Sequence, residues 1–173
     1  MKRIFAILIT LVFILVSIGC GSNDKFAGQW VGICEKNEKI AIYDIQKNGQ
    51  GYVIDIKILS LPSLWVASPK NGEKYIEKWS LNDNNKGIGA TVNDNLLTIP
   101  DGFIGTMNLT YIEKDNIIQV PSLGMLPGFA IERNDDGKKL EELKKEIISG
   151  RKSVLENRCS NLIYDVEEME QTK

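Results

Sequence analysis

The chain has 173 residues, of which 43% are hydrophobic and 25% are charged, and 23 acidic residues slightly outnumber 21 basic ones. This length suits one domain, and the near-average composition excludes a collagen-like, wholly disordered or multi-span membrane protein. The chain contains no histidine, which removes His-based acid–base catalysis, Ser-His-Asp and Cys-His nucleophiles and zinc sites with imidazole ligands. The acidic balance also argues against nucleic-acid binding, which needs a basic surface.

The N-terminal segment is typical of a secretory signal. A basic start at Met1-Lys2-Arg3 precedes an uncharged, apolar run from Ile4 to Ile18, and these two parts match the n-region and h-region of a signal peptide. The run is shorter than the roughly 20 apolar residues that a membrane-spanning helix needs. The sequence therefore predicts a signal peptide over residues 1–19 rather than a permanent span.

The end of this run, Val16-Ser17-Ile18-Gly19-Cys20, resembles the lipobox of bacterial lipoproteins. The resemblance implies that Cys20 is acylated and that residues 20–25 form a short tether to the membrane, since several acyl chains give durable attachment. Gly21, in place of Asp, implies an outer-membrane lipoprotein facing the periplasm in a Gram-negative host. The alternative is an ordinary signal peptide in which Cys20 has no role.

The remaining two cysteines, Cys34 and Cys159, are an even pair once Cys20 is acylated. Export carries both to an oxidising compartment where disulfides persist. The sequence predicts a Cys34–Cys159 bridge between the first strand and the C-terminal helix, and the alternative is two buried free thiols. Two cysteines so far apart, with no histidine, do not indicate a metal site.

Short β segments separated by turn residues fill the next part of the chain. Residues 52–58 alternate apolar and polar side chains with period two, as a half-buried strand does. Polar connectors at 47–51, 82–87, 93–95 and 114–116 carry the residues that turns favour. The predicted strands are 30–34, 39–45, 52–58, 74–80, 87–92, 96–99, 105–112, 117–120 and 129–133. Their close spacing predicts a mainly β fold over residues 26–134, an antiparallel up-and-down meander that closes into a small barrel.

The hydrophobic period changes from two to that of a helix after Gly137. Leu140, Leu143 and Ile147 recur at helical spacings with charged residues between them. The pattern predicts an amphipathic helix over residues 135–164, packed on the barrel. Gly150 indicates either a bend or a close approach to the barrel. The acidic residues 165–173 are predicted to be a frayed tail.

Phe26-Ala27-Gly28-Gln29-Trp30 resembles the Phe-x-Gly-x-Trp signature of the first strand of lipocalins. In that family an arginine at the end of the last strand stacks on the tryptophan, and a helix follows. The resemblance therefore implies a structural Trp30–Arg133 pair that closes the base of the barrel. The family's middle motif is missing and the spacing from Trp30 to Arg133 is short, so another antiparallel barrel or a sandwich-like meander is the alternative.

Two connectors are apolar where connectors are usually polar. Residues 59–69 and 120–129 combine proline with large apolar side chains and share the tripeptide Pro-Ser-Leu. They are predicted either to line a binding face or to fold inward and plug the barrel. The candidate residues of this face are Leu64, Trp65, Leu123, Met125, Leu126 and Phe129.

No enzyme motif is present, because no Gly-rich phosphate loop and no nucleophile with a recognisable base can be found. We expect no catalytic residues, no cofactor and no metal. Two functions stay open: a lipocalin-like binder of an apolar small molecule, and a protein-binding lipoprotein such as an inhibitor, an immunity or exclusion factor, or an accessory of an envelope assembly. A barrel cavity of several hundred Å³ would favour the first, and a filled core with an apolar outer patch would favour the second.

Overall fold

The fold is described from a computed structural model over residues 24–102, 105–122, 124 and 127–168. The signal peptide and Cys20 lie outside the described residues, and so do Leu123, Met125 and Leu126 of the candidate face. The lipidation prediction therefore stays a prediction. The described chain contains ten strands and one helix.

Seven of the ten described strands agree closely with those predicted from alternation and turns. Their bounds are β1 Gly28–Glu35, β2 Lys39–Asn48, β3 Gly51–Ser60, β4 Lys74–Lys78, β5 Ser80–Asn93, β6 Leu96–Gly102, β7 Gly105–Ile112, β8 Ile117–Val120, β9 Phe129–Arg133 and β10 Ile163–Glu167. The helix α1 spans Lys138–Glu156.

Eight of these strands close into an antiparallel barrel in the order β1-β2-β3-β5-β6-β7-β8-β9. The last strand returns to the first, where Trp30 pairs with Arg133 and Val31 with Glu132. The prediction of a mainly β, antiparallel barrel with a C-terminal helix packed on it is confirmed. Closure gives every one of these strands a hydrogen-bonded partner on both sides, which removes the exposed edges of an open sheet.

The chain direction gives the barrel two distinct ends. We call the end that holds residues 24–27 and the turns 49–50, 94–95 and 113–116 the base. We call the other end the mouth. It holds the turn 36–38, the segment 61–79 that includes β4, and residues 121–122, 124 and 127–128 between β8 and β9. The described residues of both apolar connectors singled out in the sequence therefore lie at the mouth end.

The base is closed by the predicted tryptophan–arginine pair. The guanidinium carbon of Arg133 lies 4.5 Å from the centroid of the Trp30 ring, close enough for a cation–π contact. The same guanidinium donates hydrogen bonds to the backbone carbonyls of Ala27, Lys25 and Asp24, and the Trp30 indole donates to the Phe26 carbonyl at 2.7 Å. The implied Trp30–Arg133 contact is confirmed.

The polar segment 82–87 is not the turn that its composition predicts, because it lies inside β5. Its pairing with β3 shifts register twice, between Ile54 and Ile56 and again between Ile56 and Ile58. Such irregularities accommodate residues that favour turns within a bent strand. Gly87, at φ 67°, donates its backbone N–H to the Asp55 carboxylate at 2.7 Å.

Helix α1 covers the outer face of β1 and β2. Leu143 and Ile147 pack there with Val31 and Ile40, as the helical spacing of the apolar residues predicted. A Cβ at Gly150 would lie 2.3 Å from the Asn37 amide oxygen, so this glycine marks a close approach to the β1–β2 turn. Within the described residues, no helix has both the length and the apolar character needed to cross a membrane.

The C-terminal region differs from its prediction. The helix ends at Glu156 rather than at residue 164, and β10 then pairs in parallel with β4, from Ile163 beside Lys74 to Glu167 beside Lys78. The predicted strand 74–80 is divided, because β4 leaves the barrel wall while β5 begins at Ser80. The first residues of the expected frayed tail are therefore a paired strand.

The predicted Cys34–Cys159 disulfide is wrong, because both cysteines are free thiols. Cys34 packs with the core inside the barrel. Cys159 follows α1 on the outside, packs with Leu155 and Leu162, and donates its thiol hydrogen to the Pro69 carbonyl at 3.0 Å. The barrel wall stands between the two sulfur atoms.

Candidate functional site: the barrel mouth

A cavity of about 420 Å³ opens at the mouth of the barrel. This volume lies within the range of small-molecule binding sites, about 300–1,000 Å³. Most of the exposed lining is apolar, and the side chains that provide it are Ala41, Tyr43, Ile58, Pro121, Pro127 and Phe129. The polar lining residues are Cys34, Glu35, Lys39, Ser60 and Asn82.

Alternation along the strands places these side chains inside the barrel. On β2 the inward residues are Lys39, Ala41, Tyr43 and Ile45, while Ile40 and Ile42 pack outward with α1. Toward the base the interior is filled by fully buried side chains from five strands: Ile54, Leu97, Leu109, Ile118 and Ile131. The small side chain of Ala41 leaves room near the mouth, so the core is solid below and hollow above.

Tyr43 lies farther from the mouth along its strand than the polar lining residues of this cavity. Tyr43 is only 4% exposed, and its hydroxyl has no hydrogen-bond partner within the described part of the chain. Unlike the indole N–H of Trp79, this hydroxyl is not fully enclosed by protein, so it is reached from the cavity that Tyr43 lines. Burial, reinforced by the neighbouring Cys34, raises the pKa of the Tyr43 hydroxyl. The group is a neutral donor and acceptor that faces the cavity.

Cys34 contributes a neutral thiol to the same wall. Burial raises the pKa of Cys34 from 9.0 to about 11, so the thiol keeps its proton at neutral pH. Thiolate, not thiol, is the reactive form of cysteine. Cys34 therefore behaves as a small, weakly polar lining residue.

The rim of the cavity carries an ion pair. The Lys39 ammonium lies 2.5 Å from the Glu35 carboxylate, and this hydrogen bond lowers the pKa of Glu35 and raises that of Lys39. Both side chains are about 40% exposed, so the pair is solvated and adds little stability. The rim is polar without net charge.

The candidate face of the sequence is divided by the structure. Phe129 lines the cavity and packs on the barrel core, and Pro121 and Pro127 of the same connector line it too. Leu64 is half-buried against the cluster that contains Leu155. Trp65 is 92% exposed and does not line the cavity.

The sequence missed Ala41, Tyr43 and Ile58 as site residues. The period-two pattern of β2 and β3 was visible, but both faces of β2 are apolar at Ile40, Ile42 and Ala41. Alternation alone therefore gave no sign of which face points inward. The one available signal was an aromatic residue, Tyr43, two positions after a small residue, Ala41.

A second hollow, of about 510 Å³, lies at the base beside Arg133. Charged and polar side chains line it: Asp24, Lys25, Asn95, Tyr111, Glu113 and Asp135. Its Asp24 is already engaged by the Tyr52 hydroxyl at 2.8 Å. Several of its polar groups already have partners in the protein, such as Lys25 with Asn95 and Tyr111 with Asn116. Because ligand sites are mainly apolar, the mouth is the stronger candidate for a ligand site.

Among the residues that the structure describes, no three Cys, Asp or Glu side chains gather as a metal site would require. No family model matches the chain, and no match is found among curated proteins or solved structures. The resemblance to lipoproteins and to lipocalins therefore stays a prediction.

Proposed function

We propose that this protein is a membrane-anchored envelope lipoprotein that binds an apolar small molecule, without catalysis, in the mouth of its barrel. The observation that carries the proposal is the cavity of about 420 Å³ with mainly apolar walls. An apolar ligand gains about 2.5 kcal/mol for each 100 Å² of apolar surface removed from water. The filled core below the cavity limits the ligand to the upper part of the barrel.

A binding role rather than a catalytic one fits the state of the cavity's ionisable groups. Tyr43 and Cys34 both have raised pKa values and stay neutral. Glu35 and Lys39 are paired with each other at the rim. General acid–base and nucleophilic catalysis need a group whose pKa is tuned toward the working pH, and these groups are tuned away from it.

The lipid anchor at Cys20 complements this site. Cys20 lies four positions before Asp24 at the base, a reach of at most about 14 Å. An anchor so short holds the base near the membrane. The mouth, on the far side of strands as long as the ten-residue β2, would then open toward the aqueous compartment, where a carrier can load its ligand.

Binding can be tested with N-phenyl-1-naphthylamine, a neutral apolar compound that fluoresces when it leaves water. We expect the wild-type protein to bind it at a single site with micromolar affinity. Ala41→Leu fills part of the cavity and is expected to weaken binding at least tenfold. Ala130→Leu makes the same change at an exposed position of β9 and is the matched control. No binding by the wild type, or equal binding by both variants, would contradict the proposal.

The anchor has its own test. Cys20→Ser should leave unprocessed precursor and abolish labelling of the protein by radioactive palmitate. Cys159→Ser, which leaves the lipobox intact, should be labelled like the wild type. Normal labelling of Cys20→Ser would overturn the lipoprotein assignment without affecting the cavity.

The second candidate is a protein-binding lipoprotein, favoured by the loop that follows β3. Trp65 and Val66 are 92% and 72% exposed, yet the loop is held in place: the Glu38 carboxylate accepts hydrogen bonds from the Leu64 backbone N–H at 2.7 Å and from the Ser63 hydroxyl at 3.3 Å. An ordered loop that exposes a tryptophan suits a contact with a partner, since tryptophan is enriched at the centres of interfaces.

A further inference from the structure

We infer that the ligand of the mouth cavity carries an uncharged hydrogen-bond acceptor, such as a ketone, ester or ether oxygen, and that Tyr43 donates the hydrogen bond to it. The inference rests on the proposed function, since it names the class of ligand for the same cavity. It assigns to Tyr43 the recognition of a polar group within an otherwise apolar pocket.

The first step is that the Tyr43 hydroxyl is available. Tyr43 lines the cavity, and its hydroxyl has no hydrogen-bond partner in the described chain and is not fully enclosed by protein. The other two buried tyrosines of the described residues both have partners: the Tyr52 hydroxyl donates to Asp24 and the Tyr164 hydroxyl donates to Glu77, each at 2.8 Å. Because the Tyr43 hydroxyl is unpaired within the protein and open to the cavity, an occupant of the cavity can take the place of water as its partner.

The second step is the direction of the hydrogen bond. Burial raises the pKa of Tyr43, so the phenol keeps its proton and can donate it. The neighbouring Cys34 thiol is also protonated and is a weak donor. Two donors on the cavity wall favour an acceptor on the ligand.

The third step excludes a carboxylate as that acceptor. A buried anion needs a cation or several donors to offset its lost hydration. The cation of the cavity wall, Lys39, is at the rim and already bonded to Glu35. An anionic group would therefore stay at the rim, and the deep acceptor is neutral.

Matched naphthalenes test this chemistry. The compounds 2-acetylnaphthalene and 2-ethylnaphthalene have nearly the same shape but differ in the carbonyl acceptor, and 2-naphthoate replaces it with a carboxylate. Each is used to displace N-phenyl-1-naphthylamine from the full-length protein. The measured quantity is the ratio of the two dissociation constants, ketone against hydrocarbon, in the wild type and in Tyr43→Phe.

We expect that ratio to shift against the ketone by about 5- to 10-fold in Tyr43→Phe, the size of one neutral hydrogen bond. Tyr111→Phe, which removes a hydroxyl bonded to Asn116 near the base, should leave the ratio unchanged. Naphthoate should bind the wild type more weakly than the ketone. In an infrared spectrum, the ¹³C-labelled carbonyl of the ketone bound to the wild type should have a lower stretching frequency than the same ketone in an apolar solvent. This measurement does not depend on the folding of any variant.

The outcomes separate the two proposals. If N-phenyl-1-naphthylamine binds but the ratio is the same in the wild type and Tyr43→Phe, or if the carbonyl stretch is unshifted, the acceptor inference is overturned and the apolar site remains. Preferential binding of naphthoate would also overturn it. If the fluorescent probe itself does not bind to the wild type, the proposed function is overturned and this inference with it.

Discussion

Arg151 and Glu77 form a fully buried ion pair between residues 74 positions apart, with 0% and 1% of their side chains exposed. The Arg151 guanidinium donates to both carboxylate oxygens, one bond being 2.7 Å long, and Tyr164 donates to the same carboxylate at 2.8 Å. The remaining guanidinium hydrogens reach the backbone carbonyls of Asn37 and Pro62. One side chain of α1 thereby joins β4, β10 and both connectors that lead from β1 and β3 at the mouth.

We expect Arg151→Met to lower the free energy of unfolding by about 3–5 kcal/mol, because it leaves the Glu77 carboxylate buried without its cation. The double variant Arg151→Met, Glu77→Leu should be considerably more stable than that single variant, since it removes both charges. Urea denaturation measures all three proteins. Lys145→Met, at an exposed position of the same helix, is the control and should change stability by less than about 0.5 kcal/mol. A double variant no more stable than Arg151→Met would show that packing, not charge pairing, dominates this cluster.

Asp24 should make the free energy of unfolding depend on pH in the acidic range. Burial acts to raise its pKa, but hydrogen bonds from the Ala27 and Phe26 backbone N–H groups and the Tyr52 hydroxyl outweigh it, so that the pKa of Asp24 is lowered from 3.8 to about 2. Because the pKa of Asp24 is lower in the folded protein than in the unfolded chain, the unfolded chain binds more protons between pH 2 and pH 4. This contribution, about 2 kcal/mol, is fully present above pH 4 and is lost as the pH falls toward 2.

The measurement is the difference in unfolding free energy between the wild type and Asp24→Asn as a function of pH. We expect about 1–2 kcal/mol at pH 7 and a steady decrease of that difference between pH 4 and pH 2. Asp94→Asn, in the exposed β5–β6 turn where asparagine also tolerates the positive φ of 49°, is the control. A difference that does not change with pH would mean that Asp24 acts through its shape rather than its charge.

Because both cysteines are free thiols, we expect no linked peptides and no effect of a reductant on stability. Mass spectrometry of envelope-purified protein under non-reducing conditions should show Cys34 and Cys159 unlinked, and dithiothreitol should leave the melting temperature unchanged. Because the pKa of Cys34 is about 11, its alkylation by iodoacetamide should be slow at pH 8 and should rise about tenfold for each pH unit up to 10.

Alkylation of the two thiols can also show whether N-phenyl-1-naphthylamine binds in the cavity. Cys34 lines the cavity and Cys159 lies on the outside of the barrel. Saturating probe should therefore protect Cys34 from iodoacetamide at pH 9 and leave Cys159 unprotected, which serves as the internal control. Equal labelling of Cys34 with and without bound probe would place the probe elsewhere.

The strands of the barrel could be predicted because alternation and turn chemistry depend only on residues close together in the sequence. The strands β7, β8 and β9 begin and end at the residues that alternation and turn chemistry indicated. Of the long strand β5 only residues 87–92 were predicted, because the polar residues 82–87 favour turns and pairing with β3 keeps them extended. The parallel pair of β4 and β10 joins segments almost 90 residues apart, and nothing in either short segment indicates the other.

Only part of the candidate site could be predicted from the sequence. An apolar connector before the last strand indicated Phe129, which lines the cavity. Tyr43 and Ala41 could not be assigned, because the direction of β2 side chains is set by where α1 packs, and Ile40 and Ile42 are as apolar as the inward residues. The predicted disulfide failed because cysteine counting carries no information about which side of the barrel wall each thiol occupies.

Trp65 is predicted to matter for partner contacts and not for folding or for the cavity. Its side chain is 92% exposed, so Trp65→Ala should change the free energy of unfolding by less than about 0.5 kcal/mol and leave N-phenyl-1-naphthylamine binding unchanged. Leu64→Ala, one residue away but half-buried against Leu155, should cost about 1–2 kcal/mol, because part of a packed side chain is lost. Thermal melts and probe titrations of both variants distinguish the two roles. If Trp65→Ala instead loses several kcal/mol with probe binding intact, the loop is part of the core, and the exposed tryptophan would no longer support a protein partner.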